Sequence, residues 1–127
     1  MKSNKGQTAR EKKGENSSEE NLLQKHCVPC EGAARPYARS QARKMCAHTP
    51  QWHLTDEATV LTRQFSFRNF SDALTFVNRV GKIAEKEDHH PDILLYDWNK
   101  VTVTLTTHAI NGLSENDFIL AAKIDKV

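Results

Sequence analysis

Hydrophobic and polar positions along this chain follow two different periods. From Ser71 to about Asp88, the residues Ala73, Phe76, Val77, Val80, Ile83 and Ala84 recur three or four apart, which predicts an amphipathic helix. Asn69 or Ser71 can cap it, because a short polar side chain accepts from the free amides of a first turn. Gly81 interrupts the pattern at some cost in helix stability and suggests close packing at that point. From Lys100 to Thr107, Val101, Val103 and Leu105 alternate with Thr102, Thr104 and Thr106. That is the period of a strand with one buried and one solvated face. Asp92 to Tyr96 reads as its hairpin partner, joined through Asp97-Trp98-Asn99.

The remaining elements are less regular. Ala58 to Phe67 is rich in β-branched and aromatic residues and predicts a strand, although its alternation is imperfect. Gln51 to Leu54 is a shorter strand, and Thr55-Asp56-Glu57 turns the chain between them. Pro36 to Ala47 predicts a helix with Pro36 in its first turn, where a missing N–H costs nothing, and Pro50 stops it. Asn111-Gly112 forms a turn, after which Ser114 caps a last helix through Phe118, Ala121 and Ala122. Phe65, Phe67, Phe70 and Phe76 read as core. The order α-β-β-α-β-β-α predicts one α+β domain over residues 21–127, a four-stranded antiparallel sheet with helices packed on one face. Within it, 21–50 is a cysteine-containing loop and helix and 51–127 is the core.

Composition narrows the class. Met1 to Glu20 contains no aromatic residue and no Val, Leu or Ile. Such a segment buries too little apolar surface to offset its ordering entropy and is expected to be a disordered tail. Its lysines are diluted by acidic residues, and the formal charge of the chain is only +2, so no direct nucleic-acid partner is expected. No apolar run approaches the roughly 18 residues needed to cross a bilayer, and the N-terminus lacks a secretory pattern. Three cysteines, an odd number, argue against a disulfide framework and for a reducing, cytoplasmic setting.

The candidate chemistry lies at Asp88-His89-His90-Pro91 and at His108. Pro91 ends the long helix, so His89 and His90 sit at its end or just beyond. A regular hairpin brings its outer ends together, which returns His108 to the neighbourhood of Asp92 and the histidine pair. Imidazole titrates near neutrality, so such a cleft can deliver a proton at one point of a substrate and remove one at another. Asp88 can orient a ring or raise a histidine pKa. Two other readings stand beside this one: histidines with capping or surface roles, and a three-histidine zinc site, which needs an irregular backbone because adjacent side chains point apart. Cys27-Val28-Pro29-Cys30 with Cys46 and His48 is a second zinc candidate; its plain alternative, loop and helix thiols without metal, is preferred. Trp98, at the hairpin tip, suits a cover or a subunit contact better than ligand stacking.

The combination of Glu87-Asp88-His89-His90-Pro91, Asn99-Lys100-Val101, Leu105-Thr106-Thr107-His108 and Gly112-Leu113-Ser114-Glu115-Asn116-Asp117 resembles the pterin-4a-carbinolamine dehydratase family. The resemblance covers Trp52 to Asp125. It implies loss of water from a 4a-hydroxytetrahydropterin to give quinonoid dihydropterin, without metal or organic cofactor. By that resemblance His89 and His108 match the acid–base histidines, with their individual roles open, and His90 matches a substrate-positioning histidine. Asp88, His89, His90, Pro91, Thr106, Thr107, His108 and Ala109 would line the pterin pocket. A homo-oligomer and an aromatic amino-acid hydroxylase in the same pathway are the implied partners. The animal proteins of the family also serve as dimerisation cofactors of a transcription factor, so an interaction module is the alternative. Two departures are visible: Ala109 stands where the animal enzymes carry a carboxylate, and the interval from His89 to His108 is one residue longer.

Overall fold

The computed structural model describes residues 21–29 and 35–127; the expected tail over Met1 to Glu20 lies outside the described residues. After a helical turn at 21–24, the elements are α1 (Arg39–Cys46), β1 (His53–Leu54), β2 (Leu61–Ser66), α2 (Phe70–Glu87), β3 (Asp92–Tyr96), β4 (Lys100–Leu105), a 3-10 turn (His108–Ile110) and α3 (Glu115–Ile124). The four strands form one antiparallel sheet in the order β1-β2-β4-β3, the α+β architecture expected from the pattern.

The alternation in β4 sorts its side chains as anticipated. Val101, Val103 and Leu105 are fully buried, while Thr102 and Thr104 are half-buried. On α2, Ala73, Phe76, Val80 and Ala84 form the buried stripe, and Asn69 rather than Ser71 is the cap, accepting from the Asp72 amide at 2.8 Å. Helix α3 is buried almost throughout, with Phe118, Ile119, Leu120, Ala121, Ala122 and Ile124 in the core. Phe65 and Phe67 flank Phe76 with ring centroids 4.5 and 4.9 Å away, whereas Phe70 is 46% exposed and does not belong to the expected aromatic core.

Several boundaries shift for local reasons. Helix α1 starts at Arg39, not Pro36, because Ala38 is extended and its amide bonds the Gln41 side chain, while the Tyr37 amide donates to the Leu113 carbonyl at 2.8 Å. Pro36 instead lies over Gly112, where a Cβ would meet the Pro36 Cβ at 2.6 Å. The strand expected from Ala58 begins at Leu61. Thr55 closes a turn there, its carbonyl accepting from the Ala58 amide, and Ala58 takes a left-handed φ of 60°. Strand β4 ends at Leu105, and Thr106 donates its hydroxyl to the Thr59 carbonyl instead of facing solvent freely. A Cβ at Gly81 would meet nothing within 4 Å, so the close packing expected there is absent.

The register of β3 and β4 positions the site. Asp92 pairs with Thr104, so the base of the hairpin closes beside the C-terminus of α2. The tip bends through left-handed Asp97 and Trp98, and Asn99 ties it to β2 by two hydrogen bonds with the Phe67 backbone.

Candidate active site

Helix α2 ends on Asp88 in the left-handed region, at φ 52° and ψ 42°. An aspartate tolerates this conformation better than most side chains. The amides of Asp88 and His89 both return to the Ala84 carbonyl, which closes the helix and turns the next two residues outward. The consecutive imidazoles then take different environments. His89 is only 12% exposed, and its Nε2 lies 2.7 Å from Asp117 Oδ1. His90 is 55% exposed, and its Nε2 lies 2.6 Å from the exposed Glu85.

Asp117 is the group beside the histidines that inspection of their spacing did not single out. It is fully buried in the first turn of α3 and completes a capping box with Ser114. Its Oδ2 accepts from the Ser114 amide at 3.0 Å and from the Thr107 hydroxyl at 2.7 Å, while Oδ1 meets His89. An ionised carboxylate only accepts, so with Asp117 ionised the proton of this contact belongs to His89 Nε2. The sequence signal was present as Ser114-x-x-Asp117, a helix-start pattern that carries no mark of the histidine it reaches.

Asp88, His89 and His90 border a cleft of about 280 Å³, at the small end of ligand sites. Thr106, Thr107, His108 and Ala109 border it from the other side. Pro91, expected among these residues, is half-buried beside the turn and does not border the cleft. His108 opens the 3-10 turn and is exposed. Val28, Pro29 and Asn116 complete the lining and were not anticipated.

The residues 26–29 are tied to this region. Glu87, with its side chain 2% exposed, accepts from Lys123 Nζ at 2.6 Å and the Cys27 amide at 2.9 Å, and lies 3.1 Å from His26 Nδ1. Burial alone pushes the Glu87 carboxyl up; Lys123, the Cys27 amide and His26 outweigh it and hold the group at about 2. Among the described residues, no group of three His, Cys, Asp or Glu is arranged to hold a metal ion. Cys27 donates to the Asn116 carbonyl and Cys46 to the Trp52 carbonyl, each at 3.5 Å; Cys30, the remaining thiol of the zinc candidate, lies outside the described residues. Burial pushes the Cys46 thiol up, away from the thiolate that metal binding requires.

The family model for pterin 4 alpha carbinolamine dehydratase matches residues 35–127. The chain belongs to this family. A provisionally named pterin-4-alpha-carbinolamine dehydratase of Halorhodospira halophila is 55% identical over 104 residues, covering 82% of this chain and 94% of the relative. A protein of the same provisional name from Methylococcus capsulatus is 48% identical over 106 residues, covering 84% and 92%. Spans of that length in a chain of 127 residues include positions 26–29, so the match to these relatives extends beyond the Trp52 boundary expected from the motifs. The crystal structure of a transcriptional coactivator/pterin dehydratase from Brucella melitensis superimposes with a TM-score of 0.67 at 34% identity, covering 72% of this chain and 97% of that one. A pterin dehydratase-like protein described as a RuBisCO assembly factor of the alpha-carboxysome shares the fold, with a TM-score of 0.51 at 21% identity over 60% of this chain and 87% of that one.

Proposed function

We propose that this member of the family is a working 4a-hydroxytetrahydropterin dehydratase that releases quinonoid dihydropterin and water by histidine acid–base catalysis. The observation that carries the reading is the convergence of His89, His90 and His108 on one cleft, with the His89 ring held by a buried carboxylate. In the reaction the bond from C4a to the hydroxyl oxygen breaks. A protonated imidazole delivers a proton to the departing oxygen, which leaves as water. A neutral imidazole takes the proton from the adjacent ring nitrogen, and the electrons of that N–H bond form the new carbon–nitrogen double bond. His89 and His108 are the acid–base pair, and exchange with solvent restores their starting protonation. His90 positions the ring, and Asp88 with residues 106–109 line the pocket. Each assisted proton transfer contributes about 10²–10⁴-fold in rate.

The same reading makes the protein a cytoplasmic homo-oligomer, a dimer or tetramer, in tetrahydropterin recycling after an aromatic amino-acid hydroxylase. Strand β3 lies at the sheet edge with Leu94 58% exposed, which supports self-association. Among the described residues no helix is long and apolar enough to cross a membrane. A second reading, a protein-interaction module on the same fold, is favoured by the coactivator role in the name of the Brucella melitensis structure.

An ultraviolet assay of carbinolamine dehydration tests the proposal. Wild type should exceed the buffer rate by orders of magnitude, and His108→Ala should lose about 10²-fold or more. A wild-type rate equal to buffer sinks the enzyme and leaves the interaction module.

A further inference from the structure

Acid–base chemistry leaves one part of the cleft without a task, the segment that carries Val28 and Pro29. Two separate devices dock it. Asn116 exchanges a pair of hydrogen bonds with the Val28 backbone: the Val28 amide donates to Oδ1 at 3.0 Å, and Nδ2 donates to the Val28 carbonyl at 2.6 Å. That pairing fixes both polar groups of one residue, as a neighbouring strand would. One residue earlier, the Cys27 amide donates to Glu87, the buried carboxylate that Lys123 also holds. Satisfying a buried carboxylate takes several donors, so the geometry at Glu87 is demanding.

This docking does not serve the Val28 side chain in the core, since Val28 is 63% exposed. It fixes instead an apolar residue at the rim of the cleft that the histidines border. The polar groups of that cleft, imidazoles and threonine hydroxyls, suit the donors and acceptors at a ring's edge. A flat heteroaromatic ring also has an apolar face, and beside the small Ala109 the apolar side chains lining the cleft are those of Val28 and Pro29.

We propose that Val28 and Pro29 form an apolar wall against the ring of a reduced pterin, with Glu87 as the positioning residue that holds the wall through Cys27. The inference rests on the pterin reading above and adds to it a determinant of affinity. It is tested by titrating a 7,8-dihydropterin, which lacks the 4a-hydroxyl and cannot be dehydrated, into wild type, Val28→Gly, Glu87→Ala and the double variant.

Val28→Gly should weaken binding roughly tenfold, the scale of losing a few apolar carbons from a ligand contact. It should act on KM for the carbinolamine more than on kcat, and leave the melting temperature near that of wild type. Glu87→Ala should weaken binding too, and the double variant should bind no worse than the weaker single one, because both changes remove the same wall. Val28→Gly is decisive alone, as this exposed side chain is not needed for folding. A Val28→Gly protein that binds like wild type overturns the wall while leaving the dehydratase standing. Multiplicative losses in the double variant overturn the positioning role of Glu87. A wild type that binds no reduced pterin removes the pterin reading and the wall together.

Discussion

His89 and His90 are neighbours of the same type, each with Nε2 2.6–2.7 Å from a carboxylate, yet the two pairs differ in almost every physical respect. The inner pair joins a ring that is 12% exposed to a carboxylate with no exposure. The outer pair joins groups that are 55% and 79% exposed. Distance is the same; desolvation is not. An exposed pair is screened by water and contributes little, whereas a buried carboxylate depends on every donor it has. Asp117 therefore acts as a fixed support for His89, and Glu85 as an adjustable neighbour of His90.

Outside the histidines themselves, the largest expected effect is at this support. Asp117→Asn keeps the shape and removes the charge, and should lower kcat about 10²-fold or more through the wrong tautomer and orientation of His89. Glu85→Gln, the matching change in the outer pair, should leave kcat within about twofold. Comparable losses in the two variants would erase the distinction between the pairs. Asp117→Ala should also destabilise the fold by about 2–4 kcal/mol, read by urea unfolding, since it strands the Ser114 amide and leaves the Thr107 hydroxyl with the Ser114 hydroxyl alone of its two side-chain partners.

Glu87 sharpens the contrast from one turn away. Its carboxyl sits at about 2 in the folded protein, below an ordinary value of 4.5. A depressed carboxylate stabilises the fold above the unfolded pKa, and that stability is lost as pH falls from about 4.5 toward 2. Glu87→Gln should flatten the fall in melting temperature over that range. The smallest expected effect belongs to Gly81→Ala, on the helix that leads into the two histidines. With open space at its Cβ, it should stabilise the protein by about 0.5–1 kcal/mol while activity stays at the wild-type level.

The elements that were legible in the sequence are those whose burial follows one period. The α2 stripe and the β4 alternation each read out directly, and the pairing of Asp92 with Thr104 follows from a hairpin with a short turn. The starts of α1 and β2 were not legible, because contacts at Leu113 and Thr55 set them rather than propensity. The histidines announced themselves by type and spacing. Asp117 did not, since a helix-cap carboxylate looks alike whether or not a histidine from another element meets it. Glu87 was hidden in the same way, a charge inside an apolar stripe whose partners lie 36 and 60 residues away along the chain. The part played by Val28 needed the fold, because no pattern in a loop says which cleft it borders.

The most direct test is the rate of carbinolamine dehydration by His89→Ala and His90→Ala, measured side by side at saturating substrate. The buried pair as catalytic and the exposed one as positioning predicts a loss in kcat of about 10²–10⁴-fold for His89→Ala. For His90→Ala it predicts a rise in KM with kcat within about tenfold of wild type. Equal losses in kcat, or a greater loss for His90→Ala, would contradict it.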